Sequence, residues 1–183
     1  MEKSSKIFEK EINLIQDEEL RMFAHFYFSE VAPEYFFTIG ASSSGKFHPE
    51  FAQGDGGLVR HTKAVVMFAQ ELLKMSSYAY MKDEYKDYVI LACLLHDTCK
   101  YGVKEYDKAH YKDHGALAKC TTEIVWDYYF DSEKPFPFVL GNAIETHMGQ
   151  WGKDKPFTNV DRCVHLADYM ASRSFIDIPT LAL

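Results

Sequence analysis

The chain has 183 residues, 47% of them apolar, which suits one domain with a continuous core and excludes an intrinsically disordered chain. Twenty Lys and Arg against 27 Asp and Glu leave a formal charge of −7. Holding extended nucleic acid by bulk electrostatics needs a basic surface, so that role is not favoured; phosphate chemistry at a bound cation stays open, because a metal reverses the local charge. No run of about 18 apolar residues suits a membrane span, and the opening MEKSSKIFEKEINLIQDEEL lacks the apolar centre of a signal peptide. Cys93, Cys99, Cys120 and Cys163 form no CxxC pair, so a cytoplasmic protein with reduced thiols is expected.

In chain order the pattern is helical, with strand signals nearly absent. The opening is amphipathic up to Leu20, and a helix over 18–31 stops before Pro33, because the residue preceding proline disfavours the helical region. The apolar run Tyr35-Phe36-Phe37-Thr38-Ile39 fits either a helix or buried extended chain. The following stretch, GASSSGKFHPEFAQGDGG over 40–57, is irregular: a functional loop or a plain surface connection. A helix over 58–75 carries Leu58, His61, Val65, Phe68, Ala69 and Leu72 on one stripe. Further helices are predicted over 85–98, 114–130, 138–147 and 159–173, separated by Gly and Pro. The expected fold is an all-α, compact single-domain helical bundle, with an N-terminal helical segment (1–45) packing on the main domain (46–183).

Several apolar stripes carry polar groups where a hydrophobe is expected. His61 lies in line with Val65 and Phe68; His96 and Asp97 end the run Ile90-Leu91-Ala92-Cys93-Leu94-Leu95; His147 follows Leu140, Ala143 and Ile144; Asp168 shares a stripe with Val160 and Val164. A lone buried histidine is an ordinary core residue, but two inward carboxylates beside several imidazoles are costly unless a cation sits among them. Imidazole and carboxylate donors suit Mn²⁺, Fe²⁺, Co²⁺, Ni²⁺ or Zn²⁺. Water at such an ion becomes a nucleophile near neutral pH.

The strings GGLVRHTKAVV, ILACLLHDTCKYG, YKDHGALAK, AIETHMGQW and VHLADYMASR resemble, in order, the motifs of the HD-domain metal-dependent phosphohydrolases, over about Phe47 to Ile178. The stretch FHPEF before GDGGLVRHT is similar in style to the 3′–5′ exoribonuclease branch and its relatives. The resemblance implies an HD-type helical fold. It makes His61, His96, Asp97 and Asp168 ligands of a principal divalent ion, and His114 and His147 ligands of a possible second ion bridged by Asp97. It makes Lys100 a contact to substrate phosphate, with Asp97 and Lys100 as the catalytic pair. Arg173, one turn beyond Asp168, is a further candidate phosphate contact or a solvated helix-end arginine.

The implied activity is hydrolysis of a phosphomonoester or phosphodiester, a nucleotide or short oligonucleotide, by metal-activated water. Met148 stands where many relatives carry another histidine, and Thr98-Cys99 interrupts the usual continuation of the HD pair. These departures leave a non-catalytic metal- and nucleotide-binding module as the alternative. His48 is a surface-loop histidine or a residue lining the site. His25, His110 and His165 have no motif support; His25 is expected to pack among aromatics, and His165, near the Asp168 turn, is a packing residue or one that supports a ligand from behind. Tyr101, Tyr106, Tyr111 and Trp151 lie near motif ends, where a pocket would be.

Overall fold

The computed structural model describes residues 3–42, 48–104 and 113–179. Tyr106, His110 and Tyr111, and residues 43–47 of the irregular stretch, lie outside the described residues. Among those described there are seven α-helices and no strand: α1 (Glu9–Ile12), α2 (Glu18–Phe26), α3 (Gly57–Lys74), α4 (Asp83–Leu95), α5 (His114–Tyr129), α6 (Phe138–Thr146) and α7 (Asn159–Ala171). The expected all-α architecture is the one observed. None of the helices is long and apolar enough to cross a membrane.

α4 is the axis. Every residue from Asp87 to Leu95 is buried, so beyond its first turn the helix has no solvent face and its apolar residues surround it on all sides. α3, α6 and α7 pack around it, and α3 and α7 pack most extensively against each other. The N-terminal segment shares the same core: Phe8, Ile12, Ile15, Phe23, Tyr27, Phe28 and Phe36 are fully buried in it. Asp87 ties that segment to α4, its two carboxylate oxygens accepting from the backbone N–H groups of Gln16 and Asp17 at 2.9 Å each. Asp17 in turn caps α2 by accepting from the Leu20 N–H.

Three local outcomes resolve or correct the sequence reading. The Tyr35–Ile39 run forms a short 3₁₀ turn (Glu34–Phe37) that buries all three of its aromatic rings. α4 ends at Leu95, three residues before the predicted end, and the chain leaves it through tight turns in which Thr98 N–H donates to Leu95 O and Lys100 N–H to Asp97 O. The described ends of the irregular stretch are pinned rather than a free surface connection: Ala41 N–H donates to Ala52 O, Gly56 N–H to Thr38 O and Leu58 N–H to Ile39 O. That packing explains the glycine pair before His61. Gly56 takes φ +69, and a Cβ on Gly57 would lie 2.3 Å from the Ala52 carbonyl oxygen, so a side chain is excluded at the first residue of α3.

Candidate metal centre

Six candidate ligand side chains enter one buried space from separate elements. His61 comes from the second turn of α3, His96 and Asp97 from the turn that leaves α4, His114 from the first residue of α5, His147 from the residue after α6, and Asp168 from the last turn of α7. His61, His96, Asp97, His114 and His147 are at most 2% exposed.

The Asp97 carboxylate lies between two sets of imidazoles. Its Oδ2 is 3.8 Å from His61 Nε2 and 3.6 Å from His96 Nε2. Its Oδ1 is 3.0 Å from His114 Nε2 and 3.7 Å from His147 Nε2. Asp168 Oδ1 closes the first set, 3.1 Å from His61 Nε2 and 3.8 Å from His96 Nε2. The Nε2 atoms of His114 and His147 are 3.0 Å apart. Lys100 puts its Nζ 2.5 Å from Asp97 Oδ2.

The backbone decides which ring nitrogen faces the centre. Nδ1 of His96 donates to Cys93 O and Nδ1 of His147 to Ile144 O, both at 2.8 Å. A carbonyl only accepts, so each ring is fixed in the tautomer that leaves Nε2 as an inward lone pair. Burial lowers the His96 pKa, and burial together with the neighbouring His96 and His114 rings pushes His147 down to about 3. Burial opposes ionisation of Asp97, but the Lys100 ammonium and adjacent imidazoles hold its carboxyl well below the usual range. Burial likewise opposes the Asp168 charge, and the His61 imidazole overcomes it and lowers that pKa. Burial would discharge Lys100, but Asp97 keeps its pKa raised. Near neutral pH the space therefore holds two carboxylates with neutral His96 and His147, the donor state a divalent cation needs.

A cation also fits the unmet bonding. His61 Nε2, His96 Nε2 and Asp97 Oδ1 are buried without a well-aligned hydrogen bond, an arrangement that is expensive without a better partner. His61, His96 and Asp168 can each direct one atom at a common point, as can His96, Asp97 and His147. The donor set of imidazole nitrogen and carboxylate oxygen matches Mn, Fe, Co, Ni or Zn.

The centre opens into a cleft of about 490 Å³, lined by Asp97, Lys100, His114, His147 and Asp168, and by residues whose place the sequence left open. His48 is one: its ring centroid is 5.3 Å from that of His61, and burial, with His61 beside it, pushes its pKa down to about 3. It lines the site and is not a surface-loop histidine; the clue was its place in FHPEF. His165 is another, facing the cleft with Nδ1 donating to His147 O at 2.7 Å, so it braces a candidate ligand and is more than a packing residue. Tyr169, next to Asp168, and Ser172 complete that wall.

Arg173 also lines the cleft, its guanidinium carbon 4.1 Å from the Tyr169 ring centre. Trp151 stands at the cleft, 56% exposed. Tyr101 instead turns into the core, edge-on to Tyr35. His25 is half-buried on α2 and does not line the cleft.

Comparison with known proteins identifies the family. The sequence profile described as HD domain matches residues 58–173. The chain therefore belongs to the HD-domain phosphohydrolase superfamily. A curated relative, the dihydroneopterin 2′,3′-cyclic phosphate phosphodiesterase of Methanocaldococcus jannaschii, is 27% identical over 122 residues, covering 65% of this chain and 47% of the relative. The chain thus spans about half the length of the curated relative it matches. No solved structure matches the chain.

Proposed function

We propose that the chain is a metal-dependent phosphohydrolase of small nucleotide-type esters, with phosphodiesters the first class to examine, since the relative in Methanocaldococcus jannaschii is named for a 2′,3′-cyclic one. The observation that carries this reading is the Asp97 carboxylate, one oxygen turned to His61 and His96 and the other to His114 and His147.

In this reading His61, His96, Asp97 and Asp168 hold a divalent ion, and His114 and His147, with Asp97 shared, hold a second. A divalent ion bound there supplies polarisation of the phosphoryl group and acidification of water. The chain's own groups do the rest. The Nδ1–carbonyl bonds of His96 and His147 keep their lone pairs aimed before any ligand arrives. Lys100, 7% exposed and in the cleft wall, offsets negative charge gathering on a phosphoryl oxygen as water adds and the leaving oxygen departs. Arg173 provides a second positive charge on the same cleft. The cleft volume of about 490 Å³ suits a mononucleotide-sized ester.

The test is turnover of bis-p-nitrophenyl phosphate and of a panel of nucleotides and 2′,3′-cyclic nucleotides with added Mn²⁺ or Co²⁺. Hydrolysis is expected, and Asp97→Ala should lower kcat by at least about a hundredfold. Turnover undiminished in Asp97→Ala would overturn the assignment. Nucleotides bound tightly but recovered intact after long incubation would make the chain a binding module instead.

A further inference from the structure

The wall of the cleft beside Asp168 carries a feature that metal chemistry does not use. Trp151 and Tyr169 lie nearly parallel, 11° apart with ring centroids 5.8 Å from each other. The Arg173 guanidinium carbon sits 4.1 Å from the Tyr169 centroid and 5.9 Å from that of Trp151. Arg173 donates from Nε to Tyr169 O at 3.1 Å and forms no ion pair among the described residues. Its charge is placed by the rings and is not neutralised by a carboxylate.

The backbone under Trp151 is held unusually firmly for so exposed a ring. Trp151 ends a single 3₁₀ turn (Gly149–Trp151) directly after His147 and Met148. Lys155 Nζ donates to the carbonyls of Gly149, Gln150 and Gly152 at 3.1, 3.1 and 3.0 Å, clasping the turn from beneath. Gly149 has φ +57, and a Cβ there would lie 2.1 Å from the His165 ring, so the turn is also fitted against the histidine that braces His147. Packing cannot be the purpose of this fixing, since the indole is 56% exposed. Fixing a large planar ring in advance at a cleft mouth lowers the entropy cost of stacking something on it.

We propose that Trp151, Tyr169 and Arg173 form the subsite for a planar heteroaromatic ring carried by the phosphoester. The ring stacks on Trp151, and the unpaired guanidinium faces its carbonyl edges or an adjacent phosphate oxygen. The phosphate end of the same molecule lies at Lys100 and the metal centre, and this part rests on the phosphohydrolase reading; the ring subsite rests on the wall alone. The enzyme thus discriminates for aromatic-headed phosphoesters and against sugar or glycerol phosphates that fit the metal centre equally well.

The test uses binding and does not require turnover. Adenosine, AMP, CMP and ribose 5-phosphate are titrated into the 183-residue chain by calorimetry and by tryptophan fluorescence. There are two tryptophans, and Trp126 is fully buried, so ring stacking reports through Trp151. AMP and CMP should quench the fluorescence saturably and bind about tenfold more tightly than ribose 5-phosphate. Trp151→Leu should abolish the quenching and remove most of that tenfold preference, and Trp151→Phe should restore the preference. Equal affinity for AMP and ribose 5-phosphate, or equal weakening of both by Trp151→Leu, overturns the subsite while leaving the phosphohydrolase reading standing. Adenosine and AMP binding alike, with ribose 5-phosphate not bound, upholds the subsite and counts against the phosphate reading. Failure of every compound to bind overturns the subsite.

Discussion

At the scale of single residues, the charges around Asp97 balance only as a set. Lys100 is 7% exposed with its ammonium against Asp97 Oδ2, so Lys100→Met strands a buried carboxylate. In chelator-treated protein that change should cost about 3 kcal/mol in urea unfolding. With a divalent ion restored the loss should shrink, because the ion takes over the neutralisation. Equal losses in both conditions would mean that Lys100, not a cation, is the partner the carboxylate was built for. The histidines give a pH dependence of defined sign. His147 is held near pKa 3 in the folded chain against 6.5 for an ordinary histidine. Between those values the unfolded chain takes up a proton that the folded chain refuses. Stability is therefore complete above about pH 6.5 and falls as pH drops below it, by up to about 1.4 kcal/mol per unit for each such histidine. Urea melts of the metal-stripped protein at pH 7.5, 6 and 5 should show that decline, with a shallower slope in His147→Asn.

At the scale of elements, the site depends on where helices begin and end. α3 begins at Gly57 against the Ala52 carbonyl, four residues before His61. Gly57→Ala should cost about 1–3 kcal/mol by overpacking and weaken metal binding as α3 shifts, both measurable by thermal melting with and without Mn²⁺; unchanged metal affinity would separate the helix start from the site. Helix starts and stops also explain what could be read from sequence. α3 and α7 are amphipathic, so His61 and Asp168 stand out as polar groups on apolar stripes. α4 gives no such contrast, because beyond its first turn it is buried on every side; its predicted end ran three residues too far, and Asp87, which anchors the N-terminal segment, passed unnoticed. His48 and Trp151 could be named from the motifs beside them, but their orientation could not be read, for another reason. They sit on short turns whose direction is set by distant partners, the strapped ends of the 40–57 stretch and the Lys155 clasp, and no periodicity encodes that. For His165 a supporting role could be suggested from its nearness to Asp168, but its partner could not, because that partner is the His147 carbonyl on another element.

At the scale of the whole molecule, the centre is where five segments of chain meet: α3, the end of α4, the start of α5, the end of α6 and α7. Without a cation the fold must bring buried, poorly bonded nitrogen and oxygen atoms of His61, His96 and Asp97 together, a cost that the rest of the core offsets. An ion satisfies those atoms only when all five segments are in place, so it binds the folded state and not the unfolded one. Linkage then requires that metal raise global stability, by about 4 kcal/mol when the free ion is a thousandfold above its dissociation constant. For a chain of this size that corresponds to roughly 10 °C in Tm. Chelation should lower Tm by about that amount, and Mn²⁺ or Co²⁺ should restore it in a concentration-dependent way. Asp168→Ala should melt near the chelated value and respond little to added ion, since it removes the carboxylate that closes the first set. If the melting temperature ignores metal in the unaltered chain, the buried histidines and aspartates satisfy one another, and the convergence of the five segments serves packing alone.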